Sequence, residues 1–507
     1  MKPSSRPPGA PSSRVVFSTF VLVWCLLLSG VSHAAPCVTI SKKSGPPTSQ
    51  ILVSGSGFEP NVGVDIYFDT KDEALVVTNG KGQFKDAKAY APRSARPGQH
   101  WVTALERNND KGAQKPFLVQ TNWAQFHFTA DGTRLNPYEN VLNPKNVVNL
   151  EVKWSYDTGN VVYYSSPAVV NGVVYVGSYY LYALNAHTGA KLWSYNASTS
   201  TASPAVANRV VYSNSTDGNL YALDARTGVK LWSSDIGGDD YSSPAVADGV
   251  VYVGSGYPNN SLYALDARTG AKLWSYKAGD TVDSSPTVVD GVVYFVSEDF
   301  DVFALNAKTG VKLWNYTMDS GVLVATAPAV ANGVVYVGSW TGTLYALNAE
   351  NGTELWTFDP CKNCIFASPA IANGVVYIGS EGGDVYALDG QTGAVLWQYQ
   401  TGSFALSSPA VANGVLYVGS GDNNVYALDA RTGAELWSYP TGYWVVSSPS
   451  VVNGLVYIGS WDNNVYAFSL RYGSRDAGSA TRPDLTTLRP DLSLKVSVPL
   501  AAVLRPD

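Results

Sequence analysis

The chain has 507 residues, with 34 Lys plus Arg against 40 Asp plus Glu, a net charge of −6 and 15% charged residues. That balance excludes the broad basic surface a phosphate-reading protein needs, so no nucleic-acid partner is expected. Four histidines and four cysteines in the whole chain leave little material for a histidine triad or a Cys/His metal cluster. No catalytic or metal-ligating residue is assigned from the sequence.

Arg6 and Arg14 flank an N-terminal segment whose apolar run extends from Val15 to Val31 and ends in Ser32-His33-Ala34. This is the layout of a secretory signal cut after Ala34, so residues 1–34 are expected to be removed and the protein to be secreted or extracytoplasmic, at a cell surface or in a periplasm. An uncleaved anchor is the competing reading, because the uncharged stretch approaches spanning length. Cys37 follows Pro36, which fits a lipoprotein-processing site poorly. After signal cleavage no segment is left that could span a membrane.

Residues 36–120 form a separate module. Ser54-Gly55-Ser56-Gly57-Phe58 leads into the alternating stretch Val64–Phe68, and Ala95-Arg96-Pro97-Gly98 leads into His100–Ala104. Short alternating strands with turns at this spacing predict a small β-sandwich. The pattern resembles the immunoglobulin-like modules of bacterial surface and secreted proteins, which implies a spacing or adhesion role.

A further segment spans residues 122–473, and within it the chain repeats itself about every forty residues from Tyr164 to Leu470. Prolines recur at 167, 204, 244, 286, 328, 369, 409 and 449. Tryptophans recur at Trp154, Trp193, Trp232, Trp274, Trp314, Trp356, Trp397 and Trp437. Within a unit, Ser-Pro-Ala-Val-Val runs into an Asn-Gly or Asp-Gly pair such as Asn413-Gly414, the strongest short-range signal of a two-residue hairpin. Unit two carries Asn208-Arg209 there, where the turn is more strained. Strands of the Val-Tyr-Val-Gly-Ser, Leu-Tyr-Ala-Leu-Asp and Leu-Trp types follow. Four antiparallel strands per unit, repeated around an axis, predict an all-β fold: an eight-bladed β-propeller of four-stranded blades.

The two series are out of step. Trp154 precedes the first complete unit, and Ala477 stands where the eighth unit should have its tryptophan. The Trp154 strand is therefore expected to serve as the outer strand of the last blade, closing the ring and removing open sheet edges. The tryptophans themselves are read as structural wedges between neighbouring blades rather than as ligand platforms, because they recur in every unit.

Ala-Leu-Asp-Ala-Arg-Thr-Gly-Ala-Lys-Leu-Trp, residues 264–274, resembles the tryptophan-docking repeat of the quinoprotein, or pyrroloquinoline-quinone (PQQ)-like, propellers. Asp131–Pro137 and Asn146–Leu150 resemble the lead-in of the dehydrogenases in that superfamily, which also holds non-catalytic assembly lipoproteins. The enzyme branch implies a quinone, a calcium ion held by acidic and amide side chains, an aspartate base and a disulfide of adjacent cysteines. None of these is matched here: Cys361 and Cys364 are separated by Lys362-Asn363, and Ile365 stands where haem attachment requires histidine. Cys361 and Cys364 are candidates for a small-loop disulfide in an oxidising compartment, with a redox dithiol as the other reading.

The connections between blades vary most. With the loops between second and third strands they are expected to gather on one face of the ring. Tyr164, Asp240, Tyr241, Asp283, Glu298, Asp301, Phe366 and Trp444 are the candidate binding residues, with Glu381, Phe404 and Trp461 nearby. Rigid aromatics with a few charges suit a protein, peptide or carbohydrate ligand. The tail from 474 to 507 lacks blade pattern and is expected to be largely disordered, with Leu492–Val498 as a candidate strand. The sequence favours a secreted non-catalytic scaffold that takes no assigned cofactor; its competitor is a PQQ- and calcium-dependent alcohol or sugar dehydrogenase with a divergent site.

Overall fold

The computed structural model describes residues 35–197, 202–238, 241–318, 326–339, 341–359, 367–471 and 479–494. The expected signal (residues 1–34), Asp240, Phe366, Cys361 and Cys364 lie outside the described residues. Among the described residues no helix is long and apolar enough to cross a membrane.

Residues 37–119 form two sheets, one of three strands and one of five. The alternating strand Gln50–Ser56 sends Ile51 and Val53 inward, where they meet Val64, Ile66, Phe68, Val102 and Phe117 of the other sheet. The two apolar faces thus close one core, which is what makes the module a β-sandwich.

The rest is a ring of eight sheets, four strands deep, whose innermost strands neighbour one another in chain order until the last meets the first. In the first blade these strands are Ala168–Val170, Val173–Gly177, Leu181–Asn185 and Lys191–Tyr195. The hairpin between the first two requires positive φ at both of its residues, 51° at Asn171 and 78° at Gly172. Arg209 holds the same position at φ 67° without glycine's freedom. The last blade takes its outer strand from Leu150–Asp157, paired antiparallel to Asn464–Leu470, with Trp154 opposite Ala467 and Ser155 opposite Tyr466.

One junction design ties the blades together. Trp193 Nε1 and Tyr175 Oη, both of the first blade, donate to the carbonyl of Ala225 in the second, each at 3.0 Å. The Trp193 ring lies against Gly228, where a Cβ would come within 2.7 Å of it. Trp154 with Tyr457, and Trp397 with Tyr377, repeat the arrangement on Ala186 and Ala430. The exception is the junction between the seventh and eighth blades. The eighth blade has no Thr-Gly turn, so Trp437 donates to Leu150 instead and the buried Tyr417 hydroxyl has no partner among the described residues.

The lead-in to the ring runs around the inside of it. Trp123 bonds Val169 of the first blade at 2.7 Å, and Ala124 O accepts from Val206 of the second at 2.7 Å. Gln125 Oε1 accepts from Val246 at 3.0 Å. Ala130, Asp131, Thr133 and Arg134 then accept from Val288, Val330, Ile371 and Val411 in turn. Asn136 Nδ2 finishes on Val451 O of the eighth at 2.8 Å. This belt is anchored by Arg134, which is fully buried. Its guanidinium donates to the carbonyls of Pro409 at 2.7 Å, Pro449 at 2.9 Å and Phe126, and stacks on Phe126 and Trp123. Burial without a carboxylate partner lowers its pKa to about 9. Gly132, at φ 76°, lets the belt pass Pro328, whose carbonyl would stand 2.7 Å from any Cβ.

Residues 479–494 do not behave as the sequence suggests. They dock on the five-stranded sheet of the sandwich: Ala480 N bonds Gln99 O at 2.7 Å, Gln114 Nε2 donates to Pro483 O at 2.9 Å, and Arg482 stacks on Trp101. Leu488 is buried with Tyr67 and Leu105. The apolar anchor supplies what the surrounding polar composition hides. Leu492–Leu494 forms no strand, and residues 495–498 lie outside the described residues.

Candidate binding site at the channel mouth

A serine-proline step leads into seven of the eight inner strands, and an alanine-proline step, Ala327-Pro328, into the fifth. Ser166 N donates to Ser203 Oγ at 2.8 Å, Ser203 N to Ser243 Oγ at 2.9 Å, and Ser243 N to Ser285 Oγ at 2.9 Å. On the other side Ala327 N donates to Ser368, Ser368 to Ser408, Ser408 to Ser448 and Ser448 back to Ser166. The circle is broken at one place, because Ala327 has no hydroxyl to offer Ser285. These serines narrow the channel, and Phe126 of the belt lies at its floor.

Above the serines lies a cavity of about 580 Å³. Its walls come from loops of different blades. Tyr164, Tyr241, Asp283, Phe404 and Trp444 belong to connections between blades, and Glu298, Glu381 and Trp461 to loops between second and third strands. The rings form a contiguous cluster: Phe404 to Trp444 at 5.1 Å, Trp444 to Trp461 at 4.9 Å, and Trp461 to Tyr163 at 4.8 Å. Tyr164 meets Tyr241 edge-on at 6.4 Å. Tyr164 and Tyr241 are about half exposed, at 45% and 50%, so the cluster is a wettable rim rather than a closed core.

The charge in the cavity is of one sign. Burial together with the nearby Glu298 carboxyl pushes Asp283 up to about 7. Burial and the Asp280 carboxylate raise Glu298 as well. Two carboxyl groups this close favour holding one proton between them. Asp283 Oδ1 is buried with no hydrogen-bond partner among the described residues. Glu381 adds a third carboxyl to the lining, and no Lys or Arg is among the described lining residues.

A family profile described as outer membrane protein assembly factor BamB, built on PQQ-type repeats, matches residues 151–243, 238–356, 318–408 and 403–493. The chain belongs to this PQQ-repeat family. The profile begins at the closing strand and leaves the sandwich unmatched. No curated protein matches the chain in sequence. Among solved structures, a europium-containing methanol dehydrogenase is similar at 17% identity and TM-score 0.62, over 69% of this chain and 98% of its own. A quinohemoprotein alcohol dehydrogenase from Pseudomonas putida HK5 is similar at 19% identity and TM-score 0.61, over 76% and 82%. BamB from Moraxella catarrhalis is similar at 20% identity and TM-score 0.55, over 63% and 99%. These likenesses establish the fold.

In this PQQ-repeat propeller five of the candidate residues, Tyr164, Tyr241, Asp283, Glu298 and Trp444, line one cavity. Asp301 does not join them. It opens the third strand of its blade and turns outward, accepting from Asn315 and Thr317 of the outer strand. Asp422 and Asp462 are hairpin clamps: each carboxylate caps its own turn and accepts from a tyrosine hydroxyl, Tyr426 or Tyr466, at 2.6 Å. The tryptophans Trp154 to Trp437 sit at blade junctions, away from the cavity. Sequence reasoning missed the serine ring and Phe126. Ser-Pro opens nearly every unit, where the sequence marks it only as the entry to the first strand, while Phe126 lies in a segment with no repeat to flag it.

Proposed function

We propose that this PQQ-repeat propeller is a non-catalytic binding scaffold of the extracytoplasmic space, which holds its ligand at the aromatic mouth of the central channel. The observation that carries this reading is the cluster of Phe404, Trp444 and Trp461, drawn from irregular loops of separate blades onto one cavity, with Tyr163 packed against Trp461. A rigid scaffold that varies only in the loops lining one cavity is the ordinary architecture of a binding protein. Protein, peptide and carbohydrate ligands all suit such a rim. The N-terminal sandwich is proposed as an immunoglobulin-like spacer, and the leader pattern supports export.

The dehydrogenase reading is disfavoured by the chemistry of the lining. Pyrroloquinoline quinone carries three carboxylates, and the cavity would set it against Asp283, Glu298 and Glu381 without a described Lys or Arg to neutralise it. A calcium ion needs several convergent oxygen donors, and no group of three or more His, Cys, Asp or Glu among the described residues is placed to hold a metal.

The test is a panel of oligosaccharides and peptides titrated against the purified protein and its Trp444→Ala and Trp461→Ala variants. A bound ligand should lose tenfold or more in affinity, about 1.4 kcal/mol, while the melting temperature holds. Saturable binding of the quinone with calcium, together with alcohol- or sugar-dependent reduction of a redox dye, would overturn the proposal.

A further inference from the structure

The cavity holds three carboxyl groups, six aromatic rings and no described basic side chain. Tyr164 and Tyr241 meet edge-on, so one ring face is turned toward open space. Such faces carry negative potential and attract cations, most strongly when water is displaced. Asp283 and Glu298 line the same cavity as Tyr241, Asp283 from the connection between the third and fourth blades and Glu298 from the second hairpin of the fourth. Asp283 Oδ1 is a buried acceptor with no donor among the described residues. Among the described lining residues, none is a Lys or Arg that could neutralise the pair.

Within the binding role proposed above, we infer that the channel mouth is a receptor for an organic cation, its ammonium or guanidinium seated between the Asp283–Glu298 pair and the surrounding aromatic rings. Aromatic faces bind an alkylammonium without demanding fixed hydrogen bonds, whereas the paired carboxylates give direction to an N–H donor. The seryl hydroxyls below, Ser203, Ser243 and Ser285, already accept from neighbouring blades, so they offer further acceptor capacity to N–H groups reaching down the channel. A cavity of about 580 Å³ accommodates a polyamine or the basic side chain of a peptide, and excludes a folded domain. The neutral Asn and Gln equivalents would leave the rings in place and remove only the charge complement. The aromatic and acidic contributions are thus separable.

The experiment uses the full chain and follows tryptophan fluorescence and titration heat with spermidine, choline, an Arg-containing tetrapeptide, maltose and citrate. Spermidine, choline or the peptide should bind saturably; maltose and citrate should bind at least tenfold more weakly. Asp283→Asn combined with Glu298→Gln should weaken the cation at least tenfold and leave the melting profile cooperative. Glu151→Gln, an acid on the outer strand Leu150–Asp157 and remote from the cavity, should change nothing. Tighter binding of the peptide than of spermidine identifies a protein-borne cation, and the reverse a free amine. Maltose binding that depends on Trp444 but ignores the two carboxyl variants would sink the cation inference while preserving the binding scaffold. Equal loss in the Glu151→Gln control, or no saturable binding by any cation, would also overturn it.

Discussion

Asp283 illustrates how one side chain can tie stability to function. Burial and Glu298 raise its pKa to about 7, so the fold favours the protonated form and the unfolded chain the ionised one. The stabilisation this gives is complete below the ordinary carboxylate range and is lost as pH rises through about 7. Asp283→Asn cannot titrate, so its melting temperature should exceed that of the native chain increasingly from pH 4.5 to pH 8. Each kcal/mol of relief is worth about 2–4 °C. A difference that does not change with pH would show that the two carboxyls do not share a proton. This pairing was not legible in the sequence, because Asp283 lies in the connection entering the fourth blade and Glu298 in that blade's second hairpin, and the two loops meet only when the blade folds. What was legible was the gathering of variable loops on one face, since strand alternation fixes which ends point the same way. Asp301 failed for a related reason: a shift of a residue or two from loop to strand reverses the direction of a side chain.

Blades are coupled pairwise through tryptophan, and Trp154 makes the junction that closes the circle. Its ring is nearly buried, lies against Gly189 and donates to Ala186 at 3.0 Å. Trp154→Ala should cost on the order of 3–5 kcal/mol in denaturant unfolding. A loss below 1 kcal/mol would mean that the strand Leu150–Asp157 holds without it. The propeller was readable before any coordinate because hairpin, proline and tryptophan each recur at fixed spacing, and the offset between series is the sequence trace of a shared sheet. The serine ring escaped notice for a physical reason. A hydroxyl that bonds across a channel and one that caps a turn look identical in one dimension, and only the break at Ala327 gives the ring a visible identity.

The molecule as a whole is tied at both ends. Asn140 Nδ2 donates to the sandwich at Ala95 O at 2.8 Å, Thr121 and Asn453 bond one another between lead-in and last blade, and residues 479–494 return from the ring to cover the sandwich. Removing residues 479–507 exposes Tyr67 and Leu105, so scanning calorimetry should record a lower transition for the sandwich and an unaltered one for the propeller. A single transition that moves as one would mean that the two units melt together. The belt carries a different consequence. It meets the blades in the order in which they are synthesised, one attachment each, and it emerges from the ribosome before any of them. The segment therefore acts as a ruler: a duplicated or deleted repeat would leave an attachment without a blade, or a blade without an attachment. Ring size in this chain is written into some fifteen residues outside the repeats, and gain or loss of a repeat requires a matching change in their length.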